Sequence, residues 1–92
     1  MLTVTESARK ALKNMLDSAE AQPEQSLRLV EEQGNYGLTL DTKREDDQVV
    51  EHEGATVLLV GADVKTQLES VVLDLQDTPG GPRLAFVPKE EP

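Results

Sequence analysis

Near the start of the chain, Ala8, Leu12, Met15, Leu16 and Ala19 recur three or four residues apart, the spacing of a helix with one buried stripe. Leu2 and Val4 form a short apolar lead-in, and Thr5 can cap the helix by accepting from a first-turn N–H. Glu6 then places negative charge at the positive end of the helix dipole. With Pro23 as a stop, the pattern predicts a helix from about Glu6 to about Ala21.

From Ser26 the period falls to two. Leu27 and Leu29 alternate with Arg28 and Val30, which predicts a half-buried strand. Gly34-Asn35-Tyr36-Gly37 reads as the turn after it, because Gly and Asn accept positive φ readily. Leu38 and Leu40 mark a second strand, and Thr42 to Asp47 a polar loop. A third strand, about Gln48 to Glu53, turns at Gly54 into a fourth, Thr56 to Val60, whose unbroken apolar run predicts burial on both faces.

Asp63 is placed to cap a short helix carrying Val64 and Leu68. Val71, Leu73 and Leu75 alternate with Val72, Asp74 and Gln76 as a fifth strand. Thr78-Pro79-Gly80-Gly81-Pro82 reads as a connector to a last strand with Leu84 and Phe86, and Pro88 with Lys89-Glu90-Glu91-Pro92 as a frayed tail. One long N-terminal helix, mostly antiparallel strands and one short inserted helix define an α+β class. The 92 residues are expected to form a single domain, residues 1–92.

Composition narrows the function. Hydrophobic residues make up 37%, and Tyr36 and Phe86 are the only aromatics, so the core is aliphatic and base stacking has little to work with. The 18 acidic and 9 basic side chains give a net charge of −9. The stretch 31–53 holds eight acidic residues against Lys43 and Arg44 alone. Phosphate binding needs clustered cations, so no nucleic-acid partner is expected. No run reaches the length of a membrane span, and residues 1–6 lack the charged and apolar regions of a signal peptide. With no cysteine, disulfide stapling is ruled out. A cytoplasmic location is expected.

Candidate chemistry is sparse. His52 stands between Glu51 and Glu53, but strand alternation would place it on the face opposite both. Asp46-Asp47 lacks the ligand spacing and glycine of a calcium loop. Among oxygen-ligated options, the acidic region Asp41–Glu53 is the remaining metal-binding alternative. His52 is the only histidine, no Gly-x-Ser-x-Gly elbow occurs, and Gly80-Gly81 does not open a helix as a phosphate loop does. No enzyme and no cofactor are expected.

Several segments, in order, resemble the HesB-like domain of A-type iron–sulfur carriers. They are Leu2-Thr3-Val4-Thr5-Glu6-Ser7-Ala8, Leu27-Arg28-Leu29, Gly54 to Val60 with Asp63, Leu73-Asp74-Leu75 and Leu84-Ala85-Phe86. Together they cover nearly the whole chain. The resemblance implies a HesB-like fold and possible homo-oligomers. Carriers of the family hold their cluster through a cysteine in the Gly-rich turn and a Cys-Gly-Cys pair in the C-terminal tail. Here Asn35 stands at the turn cysteine's position, Tyr36 stands where serine is common, and the sequence stops at Pro92 without the tail pair. The segment from Asp63 to Asp74 is also shorter than in the family. Soft thiolates select iron–sulfur clusters, so the expectation is a non-enzymatic binding or structural module. It would lack cluster ligands, be peripheral to iron–sulfur assembly, and bind an unidentified protein partner through Asn35 and Tyr36.

Overall fold

The computed structural model describes residues 2–88; the charged end Lys89–Pro92 lies outside them. In chain order the elements are β1 (Thr3–Val4), α1 (Glu6–Ser18), β2 (Gln25–Glu32), β3 (Asn35–Thr42), β4 (Gln48–His52), β5 (Ala55–Val60), α2 (Ala62–Gln67), β6 (Val71–Thr78) and β7 (Gly81–Pro88). Pro88 belongs to β7, paired with Val71, rather than to a tail.

Helix α1 begins where its cap predicts. The Thr5 hydroxyl oxygen accepts from the Ala8 N–H at 3.2 Å, and the same hydroxyl donates to the Asp74 carboxylate at 2.7 Å. One side chain thus starts the helix and ties it to β6. The helix stops at Ser18, short of the expected Ala21, because Glu20 takes a left-handed conformation with φ 53°, a usual way to end a helix. Ala8 and Leu12 are buried as the stripe predicts, but Met15 and Ala19 are exposed.

The strands form two sheets, ordered β1-β6-β7 and β3-β2-β5-β4. Three antiparallel hairpins supply most of the pairing, while β1–β6 and β2–β5 run parallel. The parallel pairs come from crossovers: α1 carries the chain from β1 into the second sheet, and β5 lies beside β2 rather than beside β3. Helix α1 packs against strands of both sheets. Between them lies an aliphatic core of Leu2, Leu12, Leu27, Leu58, Val60 and Leu73 with their neighbours. Val57 to Val60 are all buried, as their unbroken apolar run predicts. The Gln48 side chain joins the sheets at the chain start, accepting from the Leu2 N–H at 2.8 Å and donating to the Leu2 carbonyl at 2.7 Å.

At α2 the expected cap moves. Gly61 is the N-cap and makes no side-chain cap bond, and Asp63 sits within the first turn. There its charge still favours the helix dipole. The connector 78–82 is mostly strand, with Pro79-Gly80 as a two-residue loop between Thr78 and Gly81.

Candidate functional site

The turn that sequence places at Gly34-Asn35-Tyr36-Gly37 lies one step earlier. Gln33 and Gly34 form it, with φ of 50° and 84°, the two consecutive positive values of a type I′ hairpin. Asn35 and Tyr36 are the first residues of β3, paired with Glu32 and Glu31. They are therefore held in a regular ladder rather than at a turn tip.

The pair then separates. Asn35 is exposed and Tyr36 half-buried. The Tyr36 ring meets the Phe86 ring edge-on, centroids 5.1 Å apart at 64°, so the only two aromatics join β3 of one sheet to β7 of the other. The Tyr36 hydroxyl donates to Gln67 Oε1 at 3.0 Å, at the end of α2. Tyr36 lines a cleft of about 890 Å³ between α1 and the two sheets, and Asn35 does not. The cleft's apolar surface comes from Leu38, Leu75, Leu84 and Phe86, with Met15 from α1. The exposure of Met15 thus has a place: it is a side chain of the cleft wall.

Sequence periodicity misses Arg28. Alternation predicts an outward-facing side chain, yet Arg28 is 7% exposed. Its Nε donates to Asp41 at 2.7 Å, its two terminal nitrogens donate to the two Asp47 oxygens at 2.8 and 2.6 Å, and Nη2 also donates to the Thr42 carbonyl at 3.1 Å. This fork geometry is the one Arg offers a carboxylate. Hydrogen bonding from Arg28 outweighs burial and lowers the pKa of Asp47, helped by the Arg44 N–H. Asp41 is lowered first by the Thr42 N–H and then by Arg28. The pKa of Arg28 is raised chiefly by its bond to Asp47, against the opposing effect of burial. A signal exists in the sequence: Arg28 pairs with Thr39, and Asp41 lies two residues further along the same face of β3. Asp47 reaches back from the loop, which no local pattern specifies.

The same geometry bears on the acidic alternative. Asp41 and Asp47 converge, but on a guanidinium rather than on an open point. Among the described residues no group of three or more His, Cys, Asp or Glu is arranged to hold a metal ion. His52 lies 3.9 Å from Glu53. Strand alternation fails here because Glu53 belongs to the second type I′ turn, Glu53-Gly54, with φ of 52° and 83°. No described helix is long and apolar enough to cross a membrane.

No family model and no curated protein matches the sequence. Among solved structures, Escherichia coli SufA, involved in biosynthesis of iron–sulfur clusters, is similar over 95% of this chain and 84% of its own, with 25% identity and a TM-score of 0.66. IscA, crystallised with a 2Fe-2S cluster, is similar over 96% of this chain and 85% of its own, with 16% identity and a TM-score of 0.61. The strands and helices of the described residues, in their order, thus give this chain the HesB-like α+β fold of the A-type iron–sulfur carriers SufA and IscA.

Proposed function

We propose that this chain is a non-enzymatic binding module on the iron–sulfur carrier fold, without cluster ligation, working beside iron–sulfur assembly in the cytoplasm by contact with a partner protein. One observation carries the reading. The position that the resemblance assigns to a cluster thiolate holds the amide Asn35 in a chain with no cysteine, and the next residue, Tyr36, lines an apolar cleft. Cluster iron is held by thiolates. A tyrosine fixed by a ring contact and a hydrogen bond is instead the kind of residue that anchors protein interfaces.

Anaerobic reconstitution with iron and sulfide tests the first half. After desalting, no visible absorption is expected to stay with the protein, and a stoichiometric cluster held by the chain's own atoms would overturn the reading. A pull-down from native cytosol with mass-spectrometric identification tests the second half, with Tyr36→Ala run beside the parent. Proteins of iron–sulfur assembly are expected with the parent. Their affinity should fall by about 2 kcal/mol in the variant, the scale of a hot-spot residue. Sedimentation of the purified protein separates this from self-association, the other partner class implied by the resemblance.

A further inference from the structure

The cleft differs in charge from the rest of the molecule. The chain has twice as many acidic as basic side chains, 18 against 9, yet no carboxylate lines the cleft. Its two charged lining residues are both basic, Lys10 on α1 and Arg83 on β7. Both are exposed, and among the described residues neither is in a salt bridge. Apart from Ser7 and Asn14 on α1, the rest of the lining is mostly aliphatic and aromatic. An apolar concavity with a few placed polar groups is the usual form of a small-ligand site, and the 890 Å³ here lies inside the range of about 300–1,000 Å³ for such sites.

We infer that the cleft binds a monomeric long-chain carboxylate, with its hydrocarbon chain against Leu38, Leu84 and Phe86 and its carboxylate at Lys10 and Arg83. Charge complementarity selects this occupant. A basic partner surface would be drawn by the net charge of −9 but would meet two like charges at the cleft. An acidic protein face would be repelled by the molecule as a whole. A single carboxylate on an apolar chain meets the local cations and carries the least opposing charge. The inference rests on reading the chain as a binding module and adds a ligand to it. Asn35 and the exposed end of the β2–β3 hairpin lie outside the cleft lining and stay open to a protein, while Tyr36 lies in the lining, so ligand and protein partner are expected to compete for Tyr36.

Tyr36 is the only tyrosine and there is no tryptophan, so tyrosine emission reports on the cleft directly. Titration with laurate below its micellar concentration is expected to give a saturable one-to-one change. Dodecanol, with the same chain and no charge, should bind about tenfold more weakly, the worth of a charged hydrogen bond. Lys10→Gln with Arg83→Gln should bring laurate down to the level of dodecanol with an unchanged melting temperature, since both side chains are exposed. The inference is overturned if laurate gives no saturable change, if dodecanol binds equally well, or if the double variant binds laurate like the parent. A response to anionic vesicles but not to monomeric laurate would assign the cleft to a membrane surface and overturn it as well. Partner capture that depends on Tyr36 without laurate binding ends this inference alone. Laurate binding without partner capture supports it and removes the protein-contact reading.

Discussion

Arg28 and Asp47 decide more of this protein's stability than their place in the sequence announces. Their side chains are 8% and 2% exposed, so each leaves a buried charge if the other is removed. Arg28→Leu is expected to destabilise by about 3 kcal/mol, within the cost of breaking a buried pair by deleting one partner, as read by urea denaturation. The pair also sets a pH dependence. Asp47 and Asp41 have folded pKa values below the ordinary one, which is about 3.9 for an unperturbed Asp. Their contribution is therefore present above that value and lost as pH falls through the lower, folded value. Melting temperature should hold steady from neutral pH down to about 5 and drop below about 4, and Asp47→Asn should flatten part of that drop while lowering the plateau. Tyr36 shows the same limit of sequence reading. Its ring and hydroxyl partners, Phe86 and Gln67, lie far along the chain where no periodicity reaches.

Among the elements, most of the architecture is legible because burial follows period: α1, β5 and the β6 leucines stand close to where their patterns place them. The β2–β3 turn is the instructive exception. Gly34-Asn35-Tyr36-Gly37 offers two glycines, and local turn chemistry alone favours a centre at Asn35-Tyr36. Cross-strand packing chooses otherwise. With the turn at Gln33-Gly34, Leu27 faces Leu40 and Leu29 faces Leu38. A turn at Asn35-Tyr36 would set those leucines opposite Arg44 and Thr42 instead, and apolar pairs across a buried face fix register. The cost of that choice falls on Gln33, a non-glycine at φ 50°. Gln33→Asn, which accepts this conformation and makes the favoured Asn-Gly turn, should stabilise by about 0.5 kcal/mol and raise the melting temperature by about 2–4 °C. Gly34→Ala should do the reverse, costing about 1 kcal/mol. At Gly34 φ is 84° and a Cβ would meet nothing within 4 Å, so that loss would be backbone strain alone, and paired thermal melts of the two variants check both signs.

At the scale of the whole molecule, the cleft exists because two sheets meet along α1 without closing over its outer face, a property of topology that no segment of sequence contains. The acidic surplus, by contrast, is fully legible, and the structure changes only what it is used for. Two of its carboxylates, Asp41 and Asp47, are already paired with Arg28, and Asp41 also with Arg44, while Asp46 beside them is exposed. A divalent cation would have to displace a guanidinium held by three charged hydrogen bonds before it gained both carboxylates. Calcium, magnesium or manganese should therefore raise the melting temperature no more than sodium chloride at matched ionic strength. Both act by screening repulsion within a chain of net charge −9. The control variant has to be Asp46→Asn alone, because Asp47→Asn removes an Arg28 partner and lowers stability whether or not a metal binds. A saturable rise with calcium beyond the sodium curve, lost in Asp46→Asn, would restore the metal-binding alternative; superimposable curves for parent and variant would remove it.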